Sequence, residues 1–577
     1  MTLVAYLSPS AQAVGAMPPR ARIPRYSSPM SFLGRVPYSL ALLATAVGLV
    51  LLLGGAAANR AVHARFLAHR EDAASVNFAL NFTQKVDHFD SLNHDTFHQR
   101  YWENQRWWKV PTQAKARPLA FLRINSFHWD GDWNTSTIAT WAKELGAIVF
   151  DLEPRYAGES YPVPDVSTRD LRYYSIEQNV ADVVNFIQDK STLLPNNTRW
   201  IVMGDLFDGA FATWVRAKPR VAFGVVATSP HLLAVEGYTG YDLAYQASIG
   251  RTCSRIVHDL LGTVSFTLNS SAEARAAYQV QCGVDEAELL PNAEFMYVVS
   301  TILMGAMGYD SINMCKTFSD VRNSDNATRL EALANYIGNY NDQNYMMFKQ
   351  WDFALDTGGN MTDYGAGYRP TYYLKCTQLG QFEVSSGSPY SLVPAEVNVD
   401  WYLSVCQKLF NNLTTARPNT DDVNTNFGGG VPTGCNMAFV QSANDPYSSL
   451  GPNAAALAED YATTGNKIIE IDCESTSIGL SLFSTPTSAD VACLVTARSQ
   501  VLKTLKVWQA QEDTCPMSTT VVDGGSSGHD DGDMALVGVF SAAGGVILGL
   551  VVAVVLFLYF GRRVIQRWKT SFFSKIN

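Results

Sequence analysis

Trp200-Ile-Val-Met-Gly-Asp-Leu-Phe-Asp-Gly-Ala-Phe-Ala-Thr-Trp-Val-Arg-Ala-Lys-Pro219 reads as a strand, a glycine turn and a helix in immediate succession. The apolar run Trp200 to Met203 predicts the strand, and a helical pattern follows from Ala210 with no proline before Pro219. This is the layout of a nucleophile elbow, whose turn lifts one side chain above a sheet edge. Gly204 and Gly209 permit a strained turn and close approach of helix to strand. The residue at the tip is Leu206, and leucine cannot attack a carbonyl.

Working outward, strand-like and helix-like segments alternate. Leu119 to Ile124 and Ala147 to Leu152 read as strands flanking a helix from Ser136 to Leu145. Ile176 to Asp189 predicts an amphipathic helix with Val180, Val183, Val184 and Ile187 on one face. Val221 to Ala227 is a further strand. Strands separated by helices imply a mainly parallel sheet covered on both faces. From Leu232 to about Phe427 the pattern turns helical, with little strand character, in stretches such as Ala272 to Gln281, Asn292 to Met304 and Thr328 to Tyr340. Alternation returns with Met437 to Gln441 and Lys467 to Ile471, and Val491 to Gln509 predicts a closing helix. The expected α/β organisation is a sheet domain in two parts, 77–231 and 429–512, with a helical insertion, 232–428, as a lid over the binding edge.

The ends read as membrane segments. Residues 1–36 hold Arg20, Arg22, Arg25 and Arg35 and no acid, and the run 37–58 is apolar and uncharged. Roughly 20 such residues cross a bilayer. The basic flank keeps the tail cytosolic, which favours a signal anchor. Ala56-Ala57-Ala58 also offers a cleavage site, so a cleaved signal peptide stays open. A second apolar run, 535–560, precedes the basic tail 561–577, an arrangement unlike a GPI signal. Gly545-Val-Ile-Leu-Gly549 within it fits a small-residue packing face that a homodimer would use. An acidic Gly/Ser stalk, 513–534, separates this run from the folded part.

Between the two runs lie all nine cysteines and seven sequons, at Asn81, Asn134, Asn196, Asn269, Asn326, Asn360 and Asn412. An extracytoplasmic, glycosylated domain of the cell surface or endolysosomal membrane is expected. The odd cysteine count leaves a spare thiol, expected at Cys515, and the absence of a CxxC pair argues against zinc. A net charge of -10 without a basic stripe argues against a nucleic-acid partner. No cofactor is called for.

Several local patterns then fall in a familiar order. They are Phe82-Thr-Gln-Lys-Val-Asp87-His88-Phe89 with Phe97-His-Gln-Arg100-Tyr101-Trp102, Leu152-Glu-Pro-Arg155-Tyr156-Ala-Gly158-Glu-Ser160, and Leu171-Arg-Tyr-Tyr-Ser175-Ile-Glu177-Gln178. Cys376-Thr-Gln-Leu-Gly380-Gln-Phe382 and Asn444-Asp445-Pro446-Tyr447 complete the set. The chain resembles peptidase family S28, the serine exopeptidases that include lysosomal prolyl carboxypeptidase and dipeptidyl peptidase II. The resemblance implies an α/β-hydrolase fold with a helical insertion, a Ser–Asp–His triad in that chain order, and a disulfide between Cys376 and Cys406.

On that pattern the nucleophile position is Leu206, the aspartate is retained as Asp445, and the histidine falls on Asp472. Composition supports the loss. The only histidine after Asp445 is His529, in the stalk. The glycine-rich turn that would house oxyanion donors reads Arg123-Ile-Asn-Ser-Phe-His128, bulky enough to crowd them. Losing a triad nucleophile or base costs on the order of 10⁶ in turnover. The expectation is a membrane-anchored pseudopeptidase whose former cleft binds a peptide or protein. The rivals are an active proline-directed exopeptidase and a purely structural surface glycoprotein.

Other groups were weighed. Asp205 and Asp208 flank the tip and are expected as polar residues of a solvated turn rather than nucleophiles. Ser229 and His231, two apart after the Val221 to Ala227 strand, are not expected to form a dyad. Asp445 and Asp472 would sit close together in the family geometry, where a cation site is the lesser expectation beside a remodelled pocket. Trp107, Trp108, Trp129 and Trp133 are expected to serve packing.

Overall fold

The computed structural model describes residues 79–113, 116–126, 135–217, 221–343, 368–410, 413, 415–442, 445–457, 464–471, 482–488 and 490–512. All belong to one unit, Met1–Pro516. Both apolar runs, the stalk, Asp472, Cys515, Trp129, Trp133, Asn134, Asn360 and Asn412 lie outside the described residues. Among the described residues no helix is long and apolar enough to cross a membrane.

The sheet begins with β1 (Leu80–Lys85) and β2 (Thr96–Asn104), an antiparallel pair not among the strands expected from periodicity. β3 (Leu119–Ile124), α1 (Thr137–Leu145), β4 (Ile148–Leu152), α2 (Ile176–Ser191), β5 (Arg199–Asp205), α3 (Leu206–Ala217) and β6 (Gly224–Thr228) follow. β7 (Val235–Tyr238) opens a long insertion containing α4 (Gly240–Ser270), α5 (Ala272–Gln281), α6 (Asn292–Asp320), α7 (Asn326–Gln343) and α8 (Tyr368–Leu374). It closes with β8 (Gly380–Glu383), α9 (Val399–Leu409) and α10 (Thr420–Phe427), before β9 (Met437–Ser442), β10 (Lys467–Ile471) and α11 (Ala492–Ala510).

The eight-stranded sheet has the order β1-β2-β4-β3-β5-β6-β9-β10. It is antiparallel through β4 and parallel from there on. This is the strand order and helix alternation of an α/β-hydrolase-like fold. Side chains of each central strand alternate between two cores. Leu119 and Phe121 pack with Trp141 of α1 and Leu505 of α11, whereas Ala120 and Leu122 pack with Phe186 of α2 and Trp214 of α3. Both layers are buried, and each fully buried side chain of this size contributes about 1.5–3 kcal/mol. The central strands are mainly hydrophobic because both faces are covered.

Local signals place the helices. Ser136 caps α1 by accepting from the Ala139 N–H, and Ser175 caps α2 through Gln178. On α2, Val180, Val183 and Ile187 are buried and Val184 packs beside them. The elbow helix starts at Leu206, earlier than the helical pattern from Ala210, because the glycines hide the periodicity of its first turn. The insertion is mostly helical around its own core, yet β7 and β8 pair in parallel, contrary to the expectation of little strand character. Four-residue strands with half-exposed positions are too short to display alternation.

Candidate active site

At the elbow, β5 runs directly into α3 and Leu206 sits at the junction with φ +52°. For a branched side chain this left-handed conformation costs on the order of 1–3 kcal/mol and persists only where the surroundings impose it. They do. A Cβ on Gly204 would lie 2.4 Å from the Asp208 backbone, and one on Gly209 2.9 Å from the Gly204 oxygen. Strand and helix therefore touch backbone to backbone, and the tip residue takes the conformation that this contact leaves. The strained frame is present with leucine on it.

The flanking carboxylates are not solvated, which corrects the expectation from sequence. Asp208 is buried and accepts two hydrogen bonds from Ser126, at 2.8 Å from its N–H and 2.6 Å from its hydroxyl. Burial pushes its pKa up to about 6, against the Ser126 bonds. Asp205 has a buried Oδ1 without a partner among the described residues, and burial pushes it up to about 7, with Arg123 pulling the other way. The physical reason is the turn after β3, which folds against the elbow. Arg123 of β3 faces its register partner Asp151 of β4 and pairs with it, Nε to Oδ2 at 3.0 Å. Asn125 adds a 3.3 Å bond to the same oxygen. In the turn where oxyanion donors were sought, the Ser126 amide is already engaged by Asp208.

Asp445 follows β9, is buried, and accepts the Tyr447 N–H at 2.9 Å through Oδ1. Its Oδ2 is buried with no partner among the described residues. Burial raises its pKa, against the Tyr447 amide and the Ser229 hydroxyl. The ring of His231 joins this region to the elbow, lying 5.0 Å from Phe207 and 4.5 Å from Tyr447 between centroids. Both His231 nitrogens are buried and have no partner among the described residues, Ser229 included. Burial, helped by Lys375, depresses its pKa to about 3, so the ring is neutral. The structure therefore brings Leu206, Ser229, His231 and Asp445 to one edge of the sheet.

Sequence reasoning passed over the Arg123–Asp151 pair and the His231–Tyr447 contact. The first had a signal: Arg123 and Asp151 are single charges of opposite sign inside two apolar strand runs. The second had none, because Phe207, His231 and Tyr447 are far apart in the chain.

The family model of serine carboxypeptidase S28 matches residues 84–499. The chain belongs to that family. Among its relatives are the thymus-specific serine proteases of Mus musculus and Homo sapiens. They are 25% and 24% identical to this chain over 64% of it, and the matches cover 76% and 77% of their lengths. Lysosomal Pro-X carboxypeptidase of Homo sapiens is 34% identical over 27% of this chain and 32% of its own. Among solved structures, an acylaminoacyl peptidase of Pyrococcus horikoshii aligns over 80% of this chain and 44% of its own at 9% identity. Its TM-score of 0.30 is too low to support any inference.

The motifs that carried the S28 resemblance prove to be scaffold. Arg155, fully buried, makes a fork to Asp182 at 2.7 and 2.6 Å and donates to the carbonyls of Lys85, Val86 and Tyr173. His88 Nε2 lies 2.8 Å from the same Asp182, and Gln178 accepts the His88 N–H while donating to Asp87. Glu153 accepts from Arg100 and Ser160. Gln378 accepts the Ile176 N–H and donates to Glu177. Four separated motifs thus close into buried, satisfied networks, which lock the strands and α2 together.

Cys376 and Cys406, paired by the resemblance, are bonded with Cα atoms 5.6 Å apart, and a second bridge joins Cys253 to Cys315. Among the described cysteines the free thiol is Cys282, which is buried. The sequon residues Asn81, Asn196, Asn269 and Asn326 are exposed. Trp108 is buried in the core layer with Phe186, and Trp107 packs against the other layer. Among the described residues no cluster of His, Cys, Asp or Glu is arranged to hold a metal ion.

Proposed function

We propose that this S28 chain is a membrane-anchored pseudopeptidase. Its ectodomain binds a peptide or protein in the former cleft and does not hydrolyse it. The observation that carries the proposal is Leu206 at the strained tip of an otherwise intact elbow, φ +52°. Two further features support it. Asp445 presents a buried carboxylate oxygen that no described imidazole meets, and His231, the histidine at this edge, is buried and held neutral. A neutral ring without a hydroxyl partner at the tip has no proton to take. Without nucleophile and base, about 10³–10⁴ over the water reaction is all that remains of a triad's turnover. The two apolar runs supply the anchor, with the folded part outside the cytosol.

The rival, an active proline-directed serine exopeptidase, draws on family membership alone. The test is hydrolysis of a proline-containing peptide library by the purified full-length chain between pH 4 and 8. Leu206→Ser/Asp472→His and Asp445→Ala variants are measured beside it. The expected result is no turnover by the native chain and measurable turnover by the double variant. Native turnover that disappears with Asp445→Ala sinks the proposal. Extraction of membranes with alkaline carbonate checks the anchor: release of the chain into the supernatant would refute it.

A further inference from the structure

The insertion contains a concave site of a different kind. A cavity of about 450 Å³ is lined by Arg251, Arg255 and Asp259 of α4, Arg322 and Asn323 after α6, and Arg329 of α7. We propose that it binds a multiply charged oxyanion, a ligand bearing phosphate or sulfate groups, at a site sharing no residue with the elbow.

Four guanidiniums face one cavity with one aspartate among them, and among the described residues none is ion-paired. The polar contact of this set is Arg329 to Asn326 Oδ1, at 3.5 Å. Several arginines elsewhere in the fold are ion-paired: Arg100 with Glu153, Arg123 with Asp151, Arg155 with Asp182 and Arg498 with Asp490. Arg251 and Arg255 are four residues apart on α4, a like-charge spacing that works against the helix. The chain nonetheless brings Arg322 and Arg329 to the same cavity.

The scaffold beneath holds them there. Cys253, buried between Arg251 and Arg255 in sequence, is bonded to Cys315 of α6, so the two helices are tied within two residues of both arginines. α4 also breaks at Gly250, φ 75°, so that Arg251 begins its second segment. Four guanidiniums against one carboxylate leave the concave site a net positive field, here on a chain whose net charge is -10. Guanidinium forks match the paired oxygens of phosphate and sulfate. The volume suits a small polyanion or the end of a longer one.

The test is calorimetric titration of the purified full-length chain with sodium pyrophosphate and with a heparin-derived sulfated hexasaccharide at about 0.15 M ionic strength. Because Asn326 is a sequon at the rim, the Asn326→Gln chain is titrated as well, so that a glycan does not decide the result. Saturable binding of either probe is expected, and which probe saturates assigns the phosphate or the sulfate source. Arg255→Ala/Arg322→Ala should weaken it by roughly tenfold or more, Arg255→Lys/Arg322→Lys by less, and Lys503→Ala on α11 within about twofold. Circular dichroism confirms that each variant is folded. The proposal is overturned if neither probe saturates by about 1 mM in either chain, or if the double alanine variant binds as tightly as the native protein.

Discussion

The elbow and the insertion treat their polar groups in opposite ways. At the elbow Arg123 is paired with Asp151, Asp208 accepts from Ser126, and one oxygen of Asp445 accepts the Tyr447 amide, while one oxygen each of Asp205 and Asp445 has no partner among the described residues. In the insertion four arginines and a single aspartate line a cavity, and among the described residues none of the four is ion-paired. The elbow keeps its strained geometry around a leucine, whereas the insertion gathers guanidiniums around a cavity. The difference teaches that frame and chemistry are separable. The frame rests on backbone contact at Gly204 and Gly209, which is indifferent to the side chain at the tip. The chemistry rests on that one side chain.

The sharpest way to break the comparison is a pair of glycine substitutions. Gly204→Ala should cost more than about 4 kcal/mol, or abolish folding, because the new methyl meets the Asp208 backbone at 2.4 Å. Gly262→Ala, on α4 with open space around it, should stabilise by about 0.5–1 kcal/mol. Denaturant unfolding of both measures the contrast, and a Gly204→Ala chain with the native midpoint would refute the backbone argument.

Next in size, Cys253→Ser/Cys315→Ser should lose about 2–4 kcal/mol and weaken oxyanion binding with it. Unchanged binding would show that the bridge does not organise the arginines.

The buried carboxylates give a pH test. Burial raises the folded pKa of Asp205 to about 7, above its ordinary value of 3.8, so the folded state binds the extra proton between these values. Its contribution is therefore present at acid pH and is lost as pH rises toward 7. Asp205→Asn, which mimics the protonated form, should stabilise by about 1–3 kcal/mol at pH 7.5, an advantage that narrows toward pH 4. Thermal melts across that range decide it, and an advantage independent of pH would contradict the assignment.

The smallest effect is expected at the tip itself. Leu206→Gly relieves the positive φ and removes a half-buried side chain, so the net change should stay within about 1 kcal/mol. A loss above about 2 kcal/mol would mean that the leucine is held for packing.

Much of the frame was legible because it depends on local periodicity. Leu119–Ile124, Ala272–Gln281 and Lys467–Ile471 have the bounds that their apolar patterns predict. Leu206 and Asp445 were located from short motifs. The environment of Asp205 and Asp208 was not legible, because polar residues beside a glycine turn look solvated until the β3 turn is seen against them. The free thiol shows the same limit: Cys282 differs from its bonded neighbours through its surroundings, not through sequence context.

What the amino-acid sequence alone determined is identity at fixed positions: leucine at the elbow tip, and no histidine after Asp445 except His529 in the stalk. No conformation can supply an atom that the chain lacks. Tertiary structure alone decided which charges are satisfied. Ser126 meets Asp208 across 82 residues, and Cys253 meets Cys315 across 62. Whether a buried charge finds a partner, or an arginine is left to face a cavity, depends on such distant neighbours. Pairing energies act over a few ångströms of space, and local sequence does not encode that separation.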